Sequence, residues 1–160
     1  MRPLSIRAKQ EGFTATEMMV VVLILAILAA FALPAMNAMI RTQKVRSAAY
    51  DLFADLTYAR NQAITLGRDI TITSTSGTNW VNGWSLTDPN GVVLRQVGAY
   101  STGLVFTGTV PTLTFDRTGH ASAITQFSIV PTDSGATDAQ KRCIKMTVSG
   151  RPNSITGPCP

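Results

Sequence analysis

The sequence predicts an α+β protein, in which one long N-terminal helix, a membrane anchor plus a stem, packs on an antiparallel β-sheet head. Two observations predict this class. An uncharged apolar run near the N-terminus continues into a segment with apolar residues at helical spacing. After Gly67 the apolar spacing changes to every second residue, in short runs separated by turn residues, as in antiparallel strands. A single helix beside such strands forms an α+β arrangement.

The predicted membrane anchor is the apolar run over residues 18–40, which carries no charged residue. As a helix, its 23 residues would extend about 35 Å, enough to cross a bilayer. Arg2, Arg7 and Lys9 precede the run, so the N-terminus should stay in the cytoplasm and the rest should lie outside. A secretory signal peptide is disfavoured, because no obvious small-residue cleavage site follows. An ordinary single-pass membrane protein remains an alternative.

Glu17 stands at the cytoplasmic edge of this run, beside Met18 and Met19. An unpaired carboxylate there would cost about 3 kcal/mol on membrane-insertion scales, and ionisable residues in such segments are functional candidates. A glutamate that only reaches back to the membrane interface is the alternative interpretation. The sequence therefore singles out Glu17 as a candidate for pairing with a cation.

The helix should continue beyond the anchor as an amphipathic stem that ends near residue 66. Charged residues such as Asp51 and Asp55 lie mostly off the apolar stripe of this stem, and Gly67 suits a helix C-cap. Pro34 removes one backbone donor and should kink the helix locally. The stripe comprises Val45, Ala49, Leu52, Leu56, Ala59, Ala63 and Leu66.

The strands of the head are predicted from short runs separated by turn signals, the strongest at residues 88–91. Trp80 and Trp84 lie four residues apart in one run and should face the same side. We interpret both as core residues, with a stacking platform for bases as the alternative. The predicted runs cover residues 70–73, 80–86, 92–97, 104–107, 113–115, 126–130 and 143–148.

The two cysteines, Cys143 and Cys159, lie close to the C-terminus and outside any C-x-x-C motif. Metal ligation needs more partners than two thiols and the distant His120. A disulfide that closes a C-terminal loop is the simpler interpretation. It requires an oxidising compartment such as a periplasm.

The C-terminal end is basic, because no acidic residue follows Asp138. Such an end can attract polyanions such as DNA. The alternative, which we favour, is a solvated strand edge that lysine and arginine protect from aggregation. The four candidate cations are Lys141, Arg142, Lys145 and Arg151.

No motif in the chain assembles a catalytic site, so the sequence does not predict an enzyme. His120 follows Gly119 in a predicted turn, where a surface histidine is the simplest interpretation. Ser149 lacks a G-x-S-x-G elbow, and no phosphate-binding loop is present. We therefore expect no catalytic residue, no cofactor and no metal.

Residues 12–17, with basic residues before them and an uncharged run after them, resemble the class III signal of type IV pilins and type II secretion pseudopilins. The resemblance implies that a prepilin peptidase cuts after Gly12 and methylates the new N-terminal Phe13. It also implies that Glu17 helps to register the subunit in a filament, where the new α-amino group of Phe13 would give it a partner. Pro34 falls where many pilins carry a helix-bending proline.

The head resembles a narrower group, the GspH/FimT/FimU minor pilins and pseudopilins. In the FimT branch a Gly-Arg-x-Arg motif near the C-terminus is associated with DNA capture, and here Gly150 and Arg151 are present while Asn153 replaces the second arginine. The resemblance rests on the stem over residues 48–63 and on the order of residues 80–84, 94–95, 115–119 and 148–151.

Four segments are therefore expected: a leader over residues 1–12, a transmembrane half-helix over 13–40, an amphipathic helix over 41–67 and a β-rich head over 68–160. The resemblance implies a minor pilin or pseudopilin near the filament tip, anchored in the bacterial inner membrane with its head in the periplasm. Its partners would be other pilins and the prepilin peptidase. The alternative is a DNA-binding minor pilin for natural transformation. The sequence does not choose between a type IV pilus and a type II secretion system.

Overall fold

The computed structural model describes residues 12–100, 103–133 and 135–160, without the side chains of residues 32–35 and 38. The predicted leader therefore lies outside the described residues, apart from Gly12. The chain divides into two compact units, Met1–Ala38 and Met39–Pro160, and one helix passes from the first into the second.

Helix α1 spans Ala15–Leu66, close to the prediction from sequence. It begins with a capping box, in which Thr14 and Glu17 exchange hydrogen bonds. It ends at Gly67, whose φ of 63° is the left-handed conformation that suits a helix C-cap. The helix is assigned without a break across Pro34, and the predicted kink at that residue stays a prediction.

In the first unit, the apolar side chains of α1 are exposed. The large ones from Met18 to Phe31 are each at least 45% exposed. Among the residues described, no helix meets the combined length and hydrophobicity that crossing a membrane requires.

The described residues of the second unit form eight strands in two four-stranded antiparallel sheets, with the orders β3-β2-β1-β5 and β4-β6-β7-β8. The predicted α+β class is confirmed, with two sheets in the head where a single one was expected. The strands are β1 Ile70–Ser74, β2 Trp84–Thr87, β3 Val93–Val97, β4 Leu104–Gly108, β5 Thr112–Phe115, β6 Thr125–Pro131, β7 Arg142–Met146 and β8 Pro152–Thr156.

Two details of the strands differ from the prediction. The run over residues 80–86 begins as a 3-10 turn, Trp80–Asn82, because the Asn79 side chain accepts a 3.2 Å hydrogen bond from the Val81 N–H. Only its second half forms a strand, β2. Strand β8 was not predicted, since proline, asparagine and serine have low strand preference.

The core of the second unit lies between the stem of α1 and the two sheets. The predicted stripe is buried from Val45 to Ala63, whereas Leu66 is 40% exposed at the end of the helix. All members of the core cluster lie between Val45 and Met146, so this unit buries its own core, and we expect a fragment over residues 39–160 to fold. Its largest fully buried side chains include Trp80, Trp84, Phe106, Phe115 and Phe127.

Candidate assembly segment and surfaces of the head

The N-terminal segment exposes an aromatic side chain next to a capped carboxylate. Phe13 is 79% exposed. The Glu17 carboxylate accepts hydrogen bonds from the Thr14 N–H at 2.9 Å and from the Thr14 hydroxyl at 2.8 Å. The Thr14 Oγ1 in turn accepts one from the Glu17 N–H at 3.2 Å. Glu17 therefore stabilises the first turn of α1 in this structure, a role that the Thr-x-x-Glu pattern encodes but that we did not predict.

The surface around Glu17 is an open, mostly apolar depression. It is lined by Phe13, Thr16, Val20 and Val21 together with Glu17. Positions 13, 16, 17, 20 and 21 recur at the three- and four-residue spacing of one helix face. The structure thus combines a single carboxylate with an apolar stripe on one face, which is what a second apolar helix can pack against.

A buried polar cluster lies inside the head, between α1 and the first sheet, and the sequence did not predict it. Asp55 was expected mostly off the buried stripe, but its side chain is fully buried. Its Oδ2 accepts a 2.8 Å hydrogen bond from the Trp84 indole N–H, and its Oδ1 lies 2.8 Å from Arg95 Nε. Burial raises the pKa of Asp55, against the opposing effects of Trp84 and Arg95.

The same cluster extends to a second carboxylate. The Tyr100 hydroxyl donates a 2.9 Å hydrogen bond to Asp51 Oδ2, and its ring stacks on Trp84 with 5.8 Å between centroids. Burial, followed by the hydrogen bond to Asp51, raises the pKa of Tyr100 well above its usual range. The cluster therefore joins α1 to β2, β3 and the segment after β3. A signal was available in principle, because a buried tryptophan needs an acceptor for its N–H.

Both tryptophans serve the core. The Trp80 indole N–H donates to the Val110 carbonyl at 3.1 Å, and its ring centroid lies 6.0 Å from that of Trp84. Neither side chain is exposed. This burial excludes the stacking platform for bases that was the alternative interpretation.

The four C-terminal cations do not form one patch. Lys141 Nζ pairs with Asp138 at 2.9 Å. The Arg142 guanidinium donates to the carbonyls of Ala139 and Lys141 at 3.0 and 2.7 Å. Lys145 and Arg142 lie on opposite faces of β7. The Lys145 side chain points away from the α1-facing side, on which Ile144 and Met146 are buried.

Arg151 lies instead at a corner where two turns meet. Gly150, with a φ of 71°, packs so closely on the Gly119 carbonyl that a Cβ atom would overlap it. The Arg60 Nε donates to the same carbonyl at 3.0 Å. Arg151 follows directly, is exposed, and forms no ion pair with a described carboxylate. This corner places Arg151 near Arg60 and away from Lys141.

The remaining candidates have local roles. Cys143 and Cys159 form a disulfide across 5.1 Å between Cα atoms, and it ties the C-terminal segment to β7. His120 is exposed, and its Nδ1 lies 2.7 Å from the Thr118 hydroxyl, within a turn organised by Asp116. Among the described residues, no group of three or more histidine, cysteine or acidic side chains is placed to hold a metal ion.

Comparison with known proteins agrees with this geometry. Residues 7–33 match the prokaryotic N-terminal methylation motif. The solved structure of the type IV minor pilin FimU from Pseudomonas aeruginosa is 28% identical, covers 69% of this chain and 87% of its own, and has a TM-score of 0.60. The minor pseudopilin EpsH of the Vibrio cholerae type 2 secretion system shares the fold at 12% identity, covering 71% of this chain and 97% of its own with a TM-score of 0.57. No curated protein matches.

A methylation motif on a long helix that leads into a β-rich head defines the type IV pilin and pseudopilin class. Within that class, the chain belongs to the family described as type II transport protein GspH, whose model matches residues 48–150. Members of this family are structural subunits that assemble with other pilins or pseudopilins. The motif and the family together indicate a membrane-anchored subunit of a pilus or pseudopilus.

Proposed function

We propose that the chain is a minor pilin or pseudopilin that is cut after Gly12, methylated on Phe13 and assembled into a filament as a structural and priming subunit. One observation carries this proposal: the apolar side chains described along the first unit of α1 are exposed, with Glu17 as the single charge beside them. So large an apolar surface needs a partner, first lipid and then the helices of neighbouring subunits.

The proposed location follows from the same arrangement. The helix would anchor the subunit in the inner membrane through residues 13–40, with the basic leader in the cytoplasm and the head in the periplasm. The Cys143–Cys159 disulfide supports an oxidising compartment for the head. Since the solved relatives are a minor pilin and a minor pseudopilin, we propose a position at or near the filament tip. The greater identity with FimU favours a type IV pilus over a secretion system.

Glu17 would change partners on processing. In the described structure its carboxylate is held by Thr14. Cleavage after Gly12 creates an α-ammonium group on Phe13, four residues away on the same helical face, and an equivalent group on each neighbouring subunit. An apolar surrounding strengthens the attraction between such charges, so the pair would favour one register between adjacent helices.

The experiment compares variants for cleavage and for entry into filaments. We expect Glu17→Ala to be inserted and cleaved but to enter filaments poorly. Thr14→Ala is the matched control, because it removes the hydroxyl's part of the capping box and leaves the Glu17 carboxylate in place. Normal entry of Glu17→Ala, or an equal defect in Thr14→Ala, would contradict the pairing role.

DNA binding is the second candidate function, and Lys145 and Arg151 are the residues that favour it. Neither forms an ion pair with a described carboxylate, whereas Lys141 and Arg142 are engaged in the head itself. Two such cations on one small head would give weak contacts with phosphates, and the salt dependence would be shallow because it scales with the number of phosphates neutralised.

A gel-shift series at several salt concentrations with residues 39–160 tests this second candidate. Binding should appear at low salt and should be lost when Lys145 and Arg151 are both changed to alanine. Lys141→Ala serves as the control, because Asp138 already pairs with that lysine. The absence of any shift at low salt, or an unchanged shift in the double variant, would rule out DNA binding by these residues.

A further inference from the structure

The stem of α1 and the open edge of the second sheet enclose a groove of about 380 Å³, within the size range of ligand sites. Ala49, Tyr50 and Phe53 form its apolar wall, and Tyr50 is 74% exposed. Arg46 and Arg142 supply its charge, and Ser154 lines the side formed by β8. We call this the stem groove.

The charge of the stem groove is unbalanced. Arg46 is exposed and makes no ion pair or hydrogen bond with any described residue. The Arg142 guanidinium is fixed by two backbone carbonyls, and burial together with the charge of Arg46 lowers its pKa. No described carboxylate lines the groove. Two cations that repel each other above an apolar wall favour an occupant with a carboxylate.

The β8 side of the groove presents unpaired backbone groups. Among the strands of the described residues, β8 is the last of its sheet and pairs with β7 alone. The Gly157 N–H donates to the Lys141 carbonyl at 3.1 Å, which sets the alternation of the ladder. In an antiparallel ladder every second residue bonds to the neighbouring strand, so residues 155 and 153 also bond to β7. The backbone N–H and C=O groups of Ser154 and Thr156 therefore point to the open edge. Both residues are exposed.

We propose that the stem groove binds an extended segment of a neighbouring filament subunit, one in which an acidic residue lies two positions from an apolar residue, so that both side chains face the groove. The segment would add to β8 through the outward backbone groups of Ser154 and Thr156, in the manner of strand addition. Its carboxylate would lie between Arg46 and Arg142, and its apolar side chains would pack on Tyr50 and Phe53. This inference rests on the proposed function, since it takes the occupant from the same filament.

The test uses the seven-residue peptide Ser-Val-Ser-Glu-Ser-Val-Ser, acetylated and amidated, in which glutamate and both valines share one face of the extended strand. It is titrated into ¹⁵N-labelled residues 39–160 and followed by NMR. We expect saturable shifts at the amides of Arg46, Ser154 and Thr156, with slower hydrogen exchange at the last two. A peptide with lysine in place of glutamate should not bind. No saturable change at peptide concentrations up to about 1 mM, or changes confined to another surface, would overturn the proposal.

Two variants separate the charge from the strand edge. Arg46→Ala should weaken binding about tenfold, the worth of one charge-assisted hydrogen bond. Ser154→Pro should weaken it as much while the head stays folded, because the Ser154 N–H does not bond β7. Arg117→Ala, an exposed arginine away from the groove, is the control and should leave binding unchanged. Equal affinity of Arg46→Ala and wild type would contradict the assignment.

The full chain in cells tests the identity of the occupant. Arg46→Ala should be cleaved after Gly12 normally and should enter filaments less well than Arg117→Ala. If Arg46→Ala entered filaments normally even though the wild-type head binds the peptide, the occupant would not be a neighbouring subunit. Failure of this inference leaves processing and the Glu17 result untouched, so it is distinguishable from failure of the proposed function.

Discussion

The Trp84 indole N–H donates a 2.8 Å hydrogen bond to Asp55 Oδ2 inside the head, where neither side chain is exposed. Asp55 comes from α1 and Trp84 from β2, so this bond fixes the rotation of the stem against the first sheet. Arg95 on β3 completes the charge balance at 2.8 Å from the other carboxylate oxygen. The buried carboxylate is stabilised by the hydrogen bond to one oxygen and by the ion pair of the other, which accepts no hydrogen bond from a described residue.

Replacing Asp55 by alanine should lower the free energy of unfolding of residues 39–160 by about 2–3 kcal/mol, because it leaves the buried Trp84 N–H without an acceptor. Urea unfolding followed by circular dichroism measures this change. Asp138→Ala is the matched control, since that carboxylate is exposed and its pair with Lys141 is worth about 0–1 kcal/mol. Equal stability of the two variants would contradict a structural role for the buried bond.

Asp116 should make the head sensitive to acid. The hydrogen bond from the Thr118 hydroxyl, followed by that from the His120 N–H, lowers the pKa of Asp116. A lowered pKa contributes stability that is present above the unfolded aspartate value, about 4, and is lost as the pH falls through the folded value.

Urea unfolding between pH 7 and pH 2 checks this expectation. The Asp116→Asn variant should not show the part of the stability loss that protonation of Asp116 causes. Thr118→Ala should show a smaller loss that is complete at a higher pH, because it removes the largest cause of the lowered pKa in the folded state. Superimposable pH profiles for the wild type and both variants would rule out this contribution.

The Cys143–Cys159 disulfide should stabilise the head by about 3 kcal/mol, the chain-entropy value for a loop of this size. The two cysteines are 16 residues apart in sequence. Reduction with a phosphine should therefore lower the urea midpoint of residues 39–160. A variant with both cysteines changed to alanine serves as the control and should not respond to the reductant. An unchanged midpoint on reduction of the wild type would show that the bond adds nothing.

Gly150 should be far less tolerant of a side chain than Gly91. Both glycines have a left-handed φ, 71° and 78°, so alanine strains the backbone at either position. Only at Gly150 would the added Cβ overlap the Gly119 carbonyl, since nothing lies within 4 Å of the corresponding position at Gly91. Gly150→Ala should therefore unfold at a clearly lower temperature than Gly91→Ala in calorimetry. A smaller effect at Gly150 would contradict this packing of the two turns.

The helix, most strands and the burial of both tryptophans followed from the sequence because each depends on local pattern. The apolar stripe of the stem has helical spacing, and Gly67 ends it with a conformation that glycine favours. Seven of the eight strands that the described residues form fall on predicted runs. The methylation motif is contiguous in sequence, so its residues could be recognised without the fold.

Features that depend on distant segments could not be predicted. Asp55 looks like a surface residue until Trp84 and Arg95 are brought to it from two other strands. β8 has a weak strand pattern and forms because β7 offers it a partner. The stem groove joins residues 46–53 to Arg142 and Ser154, which only the tertiary fold brings together.

The most direct test of the account is the intact mass and N-terminal peptide of the native protein, purified from cells with an active prepilin peptidase. The account predicts a chain that begins at N-methylated Phe13, in the membrane and in filaments alike. The Gly12→Ala variant is the control for cleavage at this bond and should keep the leader. A wild-type chain that still carries Met1 in those cells would contradict the central claim.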